Sequence, residues 1–194
     1  MSDGTSTEFG PGRLGHRTSQ VAVVVSDDHG RSWRAGDFVV HNETRFRHPN
    51  ETCLVELADR RVLANIRAES TTHRRLISVS ADGTRDWTEP HFDNQLLEPI
   101  CFAGLCRFED AGGHDLAFSN PGVLERTMPG GPGSRGIGPE ERGRPFDRKY
   151  LTLRVSRDDG ASWPVSRVLE AGPAGYSDLT ALSDGYQAEW SRSR

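Results

Sequence analysis

The stretch SDDHGRSW, Ser26 to Trp33, decides how the rest of the chain is read, because the chain repeats it as SRDDGASW, Ser156 to Trp163. Both fit Ser-x-Asp-x-Gly-x-Ser-Trp. Each residue type suits a β-hairpin turn. The aspartate can accept backbone N–H groups inside the turn, and glycine takes a positive φ with no Cβ penalty. The second hydroxyl ties to the same loop, and the tryptophan is expected to plug the hairpin into the layer below. A worn third copy, SADGTRDW (Ser80 to Trp87), keeps serine, aspartate and tryptophan but has Thr84 where glycine is expected. The three tryptophans lie at 33, 87 and 163, a spacing close to that of propeller blades once loops are allowed.

The segments between turn signals are short and alternate with the strand period. TCLVEL puts Cys53, Val55 and Leu57 on one face, and RVLANIR follows after a brief turn at Ala58 to Arg60. RRLISVS and YLTLRVS each run into a Gly/Asp turn with tryptophan behind it. No stretch carries a helical stripe. The chain reads as nearly all-β, with about eleven short strands, a count built from these periodicities.

Composition closes several doors. At 194 residues the length suits one domain or a piece of a larger one. A net charge of -4 gives no reason to expect nucleic acid. The run VAVVV, Val21 to Val25, is far below the roughly 20 apolar residues that cross a bilayer, so no membrane partner is expected. The N-terminus has neither the basic nor the apolar part of a signal peptide, and the compartment stays open. Cys53, Cys101 and Cys106 form no CxxC, and no HExxH is present, so neither a metal nor another cofactor is expected. The NET sequons at Asn42 and Asn50 matter only in a secretory compartment. His73, Arg74 and Arg75 read as a solvated charge cluster.

The domain reading is a single partial domain over 1–194. It has an irregular N-terminus over 1–20, a Gly/Pro-rich loop over 128–147, and an aberrant C-terminal tail over 185–194.

The repeated phrase resembles the Asp box of sialidases (neuraminidases), and the surroundings extend the likeness over most of 21–184. NETCLVELADRRVLANIRAES, LAFSNPG and GPAGYSDLTALSDG are similar to successive blade segments of exo-α-sialidases. AGYSDL after a final Asp box is the most specific part. The resemblance implies a partial six-bladed β-propeller. About two complete four-stranded blades can be assembled, with half a blade before them and one strand after. It also implies a glycoside hydrolase that releases terminal sialic acid from glycoproteins, glycolipids and oligosaccharides, retaining, with a tyrosine nucleophile. Carried over residue by residue, the nucleophile is Tyr176, its activating partner is Glu51, and Arg67 and Arg148 are two of three arginines that hold the substrate carboxylate. The third arginine and the acid/base aspartate belong to blades upstream of this chain, so a fragment or decayed copy with little hydrolysis of its own is expected. The alternative is a non-catalytic Asp-box module that binds a glycan or a protein. Beyond LTALSDG the chain departs from the apolar strand of relatives, as a truncation or frameshift would make it. An open ring exposes sheet edges, which favours aggregation or a completing partner, another chain or a second copy.

Taken alone, Tyr176 could be a packed aromatic, Glu51 a solvated strand end, and the two arginines surface charges. Chain direction supplies a separate test. If successive strands swap ends and the Asp boxes mark the bottom, then Glu51, Arg67, Arg148 and Tyr176 all fall on the top rim. A three-residue turn at Ala58–Arg60, with Arg60 left-handed, sets Glu51 directly across from Arg67.

Overall fold

The computed structural model describes residues 19–110, 113–125, 147–182 and 185–190; all but the last two residues of the expected N-terminal segment over 1–20, most of the Gly/Pro-rich loop and the last four residues lie outside them. Among the described residues there are twelve strands and no helix. They are β1 (Val21–Val25), β2 (Arg34–Val40), β3 (Thr52–Glu56), β4 (Val62–Ile66), β5 (Arg74–Ser80), β6 (His91–Leu97), β7 (Gly104–Asp110), β8 (Gly113–Pro121), β9 (Lys149–Ser156), β10 (Val165–Pro173), β11 (Ser177–Leu182) and β12 (Gly185–Trp190).

Two four-stranded antiparallel sheets, β3-β4-β5-β6 and β7-β8-β9-β10, stand between two-stranded pairs, β1-β2 and β11-β12. These are two complete blades of a partial β-propeller with half a blade on each flank. One strand was expected after the second blade, yet two are found. Ser177 faces Trp190 and Leu182 faces Gly185, because backbone pairing does not require the apolar side chains whose loss made this tail look unlike a strand.

The two complete copies of the repeated phrase fold alike. Ser156 Oγ donates to Asp158 Oδ1 (2.8 Å) and accepts from Gly160 N (2.8 Å), while Asp158 accepts from the backbone and hydroxyl of Ser162 at 2.8 and 2.6 Å. Ser26, Asp28, Gly30 and Ser32 repeat the pattern. Just before each glycine stand His29 and Asp159, with φ of 60° and 56°. Histidine and aspartate are among the residues that tolerate this region best. In the worn copy the left-handed glycine is Gly83, one place earlier (φ 70°), and Asp82 Oδ1 accepts from the backbone of Thr84 and Arg85 instead. The turn survives with its glycine shifted.

Alternation sends each strand's residues to two different cores. Val23, Val39, Val40, Phe46, Ala64, Ile66 and Leu76 fill the space between the first half blade and the first complete blade. Val55, Leu63, Ile77, Leu116, Phe118 and Trp163 fill the next gap, between the complete blades. Trp163 is buried there as expected, 6% exposed, with Nε1 donating to Asp93 Oδ2 at 3.1 Å. Trp33 is 65% exposed, contrary to the expectation that each tryptophan plugs into a layer, because the described residues place no sheet against its outward side.

Arg75 overturns the solvated-cluster reading of residues 73–75. It is fully buried, ion-paired with the equally buried Glu98, and donates to Asn65 Oδ1 at 2.6 Å and Asn65 O at 3.2 Å. It lies on the strand face that meets the next blade, where its guanidinium approaches the Phe118 ring at 5.9 Å. Its fourth acceptor is the carbonyl of Cys101 at 3.4 Å.

Candidate active site on the rim opposite the Asp boxes

The hairpin that carries Glu51 and Arg67 folds as the turn chemistry requires. Arg60 N donates to Leu57 O at 3.0 Å, Leu57 N to Arg61 O at 2.8 Å, and Arg60 takes φ 71°. From that turn the register runs Glu56 to Val62 through Thr52 to Ile66. Arg67 N then donates to Glu51 O at 3.1 Å and Asn50 N to Arg67 O at 3.0 Å, which closes the pair one step beyond β3 and β4.

Side chains follow the register. Arg67 is only 2% exposed and forms an ion pair through Nη1 with Glu51 Oε2; the Glu51 side chain keeps 21% exposure. Tyr176 stands in the short segment between β10 and β11. Its hydroxyl donates to Glu51 Oε1 and accepts from Arg67 Nη1 at 3.2 Å. One phenol oxygen is therefore held between a carboxylate and a guanidinium from a different blade. The ring is 41% exposed and packs on Phe102 at 5.5 Å between centroids.

Arg148 joins from the start of β9. Its guanidinium carbon lies 5.8 Å from the centre of the Tyr176 ring, and Nη2 donates to the carbonyl of Ile100. Ala174 N donates to Arg148 O at 2.8 Å, tying the arginine to the segment that carries Tyr176. Ile100 itself sits at φ 59°, a left-handed position that a β-branched residue rarely occupies. The structure thus brings all four sequence-selected residues to one place on the rim opposite the Asp boxes. An open cleft of about 450 Å³ on the same rim, lined by Asn42, Glu43, Thr44, Arg47, His48 and Thr71, includes none of them.

Two guanidinium groups against one carboxylate leave the cluster with an excess positive charge. The Nε atoms of Arg67 and Arg148 are buried with no hydrogen-bond partner among the described residues. Burial alone would pull the Arg67 pKa down, but the charges of Glu51 and Glu98 outweigh it and hold the guanidinium above its ordinary value. Tyr176 is pushed up, first by burial and then by its hydrogen bond to Glu51 and the charge of that carboxylate, with Arg67 opposing. The phenol therefore keeps its proton, and a base must take it during any reaction.

Sequence reasoning missed the residues that brace this cluster. Glu98 accepts Cys101 N at 2.9 Å and pairs with Arg75, which fixes the segment carrying Ile100 and Phe102. Gly104 lets β11 pass close to β7; a Cβ there would stand 2.8 Å from Ser119 Oγ and 2.9 Å from Asp178 Cα. Beside it Ser119 Oγ donates to Ser177 Oγ, and Ser177 Oγ to Ser119 O, both at 2.9 Å. A glycine entering an inner strand was the available signal for the close approach. Nothing local marked Glu98, whose partner is 23 positions away.

Comparison with known proteins agrees with this architecture. The model of the BNR repeat-like domain family matches residues 6–188. A sialidase of Micromonospora viridifaciens is 36% identical over 172 residues, which are 86% of this chain and 22% of that protein. Among solved structures, the Hadza microbial sialidase Hz136 superposes with a TM-score of 0.61 at 26% identity, over 81% of this chain and 27% of that one. The sialidase of Trypanosoma rangeli, in complex with 2,3-difluorosialic acid as a covalent intermediate, gives a TM-score of 0.59 at 17% identity, over 87% of this chain and 24% of the other. This chain thus spans about a quarter of the length of each. With its paired sheets and repeated Asp boxes, the chain belongs to the sialidase family, among proteins of the BNR repeat-like domain.

Proposed function

We propose that the Tyr176 cluster is a sialidase-type site for terminal sialosides. Tyr176 is the nucleophile, Glu51 its base, and Arg67 and Arg148 hold the substrate carboxylate. The observation that carries this reading is the single phenol oxygen shared between Glu51 and Arg67.

The chemistry favours these residue types. Sialic acid bears a carboxylate on its anomeric carbon, and a planar guanidinium fork suits both oxygens while keeping its charge. A carboxylate nucleophile would meet like charge, at about 4 kcal/mol for a 4 Å approach and an effective dielectric near 20. A neutral phenol avoids that repulsion, in keeping with sialidases as exceptions to the two-carboxylate scheme. Its raised pKa makes the neighbouring Glu51 indispensable as proton acceptor. The family resemblance places the acid/base aspartate outside this chain, so we expect binding by the chain alone with negligible turnover of ordinary sialosides.

The reagent 2,3-difluorosialic acid separates these steps, because fluoride leaves without needing a general acid. Tyr176 Oη would bond to the anomeric carbon as its C–F bond breaks, fluoride would depart, and the phenol proton would pass to Glu51. Intact-mass and peptide analysis should find one adduct on Tyr176, absent from Tyr176→Phe and from Arg67→Met. No adduct, together with sialoside binding that survives loss of both arginines, would sink the enzyme reading and favour a non-catalytic Asp-box module.

A further inference from the structure

Both complete blades follow one plan. The innermost strand comes first, and the Asp box lies between the third and fourth strands, at β5–β6 and β9–β10. The first Asp box lies between β1 and β2, so these are third and fourth strands of a blade. By the same plan β11 and β12 are first and second strands. One flank therefore carries the outer half of a blade and the other flank the inner half. The directions also match. β12 runs away from the Asp-box end and β1 runs toward it, as β4 and β5 do where they pair antiparallel. Among the described residues, no strand occupies the second edge of β1 or of β12.

The side chains of the two flanks fit by register. Val21, Val23 and Val25 face the first complete blade. Val24 points the other way, as does Phe38, which pairs with Ala22. Val24, Phe38 and Trp33 are all exposed. On the far flank, Leu153 and Val155 stand three and one positions before the box serine Ser156. Ile77 and Val79 stand at the same offsets before Ser80, and they belong to the core that holds Trp163. Leu153 and Val155 are half-buried, and Val165, paired with Val155, is exposed. Trp33 of one molecule thus finds in another a seat built like the one Trp163 already fills.

We propose that the 194-residue chain pairs with a second copy of itself about a two-fold axis, each β11-β12 completing a blade with the other's β1-β2. The twelve strands among the described residues of each copy make twenty-four in the pair, or six blades of four. That number lies within the roughly four to eight blades over which such sheets close around an axis. Both joints are used on closure, so no free edge is left to propagate, whereas the same head-to-tail joint without closure would give open fibres. This pairing does not depend on the sialoside reading.

Sedimentation velocity and light scattering over a wide concentration series test it. The chain should plateau at twice its own mass. Trp33→Glu and Val155→Glu should each raise the dissociation constant at least hundredfold and return the single-chain mass. Trp33 is exposed, so its variant should keep the β spectrum of the dilute parent and suffices should Val155→Glu fail to fold. A single-chain mass at every concentration, a dimer indifferent to Trp33→Glu, or growth past two copies without a plateau would each overturn the proposal.

Discussion

Glu98→Gln is the most informative single change. Arg75 and Glu98 are fully buried, and the pair spans the junction between the first complete blade and the segment that leads to Arg148's anchor at Ile100. Glutamine keeps the shape and an oxygen for Cys101 N, but it removes the counter-charge that Glu98 supplies to Arg75. Breaking a buried pair by removing one partner costs about 3–5 kcal/mol, because a charge is left uncompensated in the interior. Coulomb attraction at about 4 Å and an effective dielectric near 20 gives a similar 4 kcal/mol. The retained hydrogen bonds to Asn65 place the expectation near 3 kcal/mol. Against a total of about 5–15 kcal/mol, that is a large fraction. Urea unfolding at fixed protein concentration should show it as a midpoint lowered by roughly 1–2 M for a slope near 2 kcal/mol/M. The double variant Arg75→Met/Glu98→Leu should recover part of that loss, since an apolar pair leaves no buried charge, while Asn65 and Cys101 N, deprived of these partners, hold it below the parent. A single-variant loss below about 1 kcal/mol, or a double variant worse than the single, would refute the claim that this junction is held by a charge pair.

Other consequences can be checked in parallel. Arg60→Gly should raise stability by roughly 0.5–1 kcal/mol in urea, because an L-residue at φ 71° is strained and glycine is not. Trp163→Ala should cost about 3–5 kcal/mol by the same assay, the loss expected for a large buried aromatic. Hydrogen bonds from the Ser32 hydroxyl and backbone hold Asp28 down at about 2, below its ordinary 3.8. Its contribution to the folded state is present above the unfolded value and fades as pH falls from near 4 through about 2; carboxyl NMR titration of the native chain should show that low midpoint, and a value near 4 would contradict the turn geometry. Burial pushes the Cys101 thiol up to about 12, so native protein should leave it unalkylated by iodoacetamide at pH 8 while denatured protein does not.

The parts of this molecule that were legible in the sequence share a physical property: they are local. The Asp-box turns depend on hydrogen bonds four residues long, and the Ala58–Arg60 turn fixes the Glu51–Arg67 register because a period of two leaves no freedom once the turn is set. Strand direction then carried Arg148 and Tyr176 to the same rim. What stayed hidden depends on distant partners. Arg75 sits beside His73 and Arg74 in a polar-looking string, and a carboxylate from the loop after β6 makes its burial tolerable. The exposure of Trp33 is likewise a property of what stands next to it rather than of its box. The second strand of the last half blade went uncounted because side-chain character was weighed where backbone pairing decides.

Gly104 has a consequence for how the rim can change. The methyl of an alanine there would lie 2.9 Å from Asp178 Cα, so β11 would have to retreat by about half an ångström to reach ordinary contact. Asp178 is two residues from Tyr176, and the same retreat would carry the phenol away from Glu51, where even an ångström of misplacement can cost about a hundredfold in rate. On the proposed reading, the Tyr176 cluster is thus tuned from beneath, by the thickness of a single missing methyl at the start of β7. On that reading, one methyl at position 104 would disable the site while leaving every residue of the cluster itself untouched.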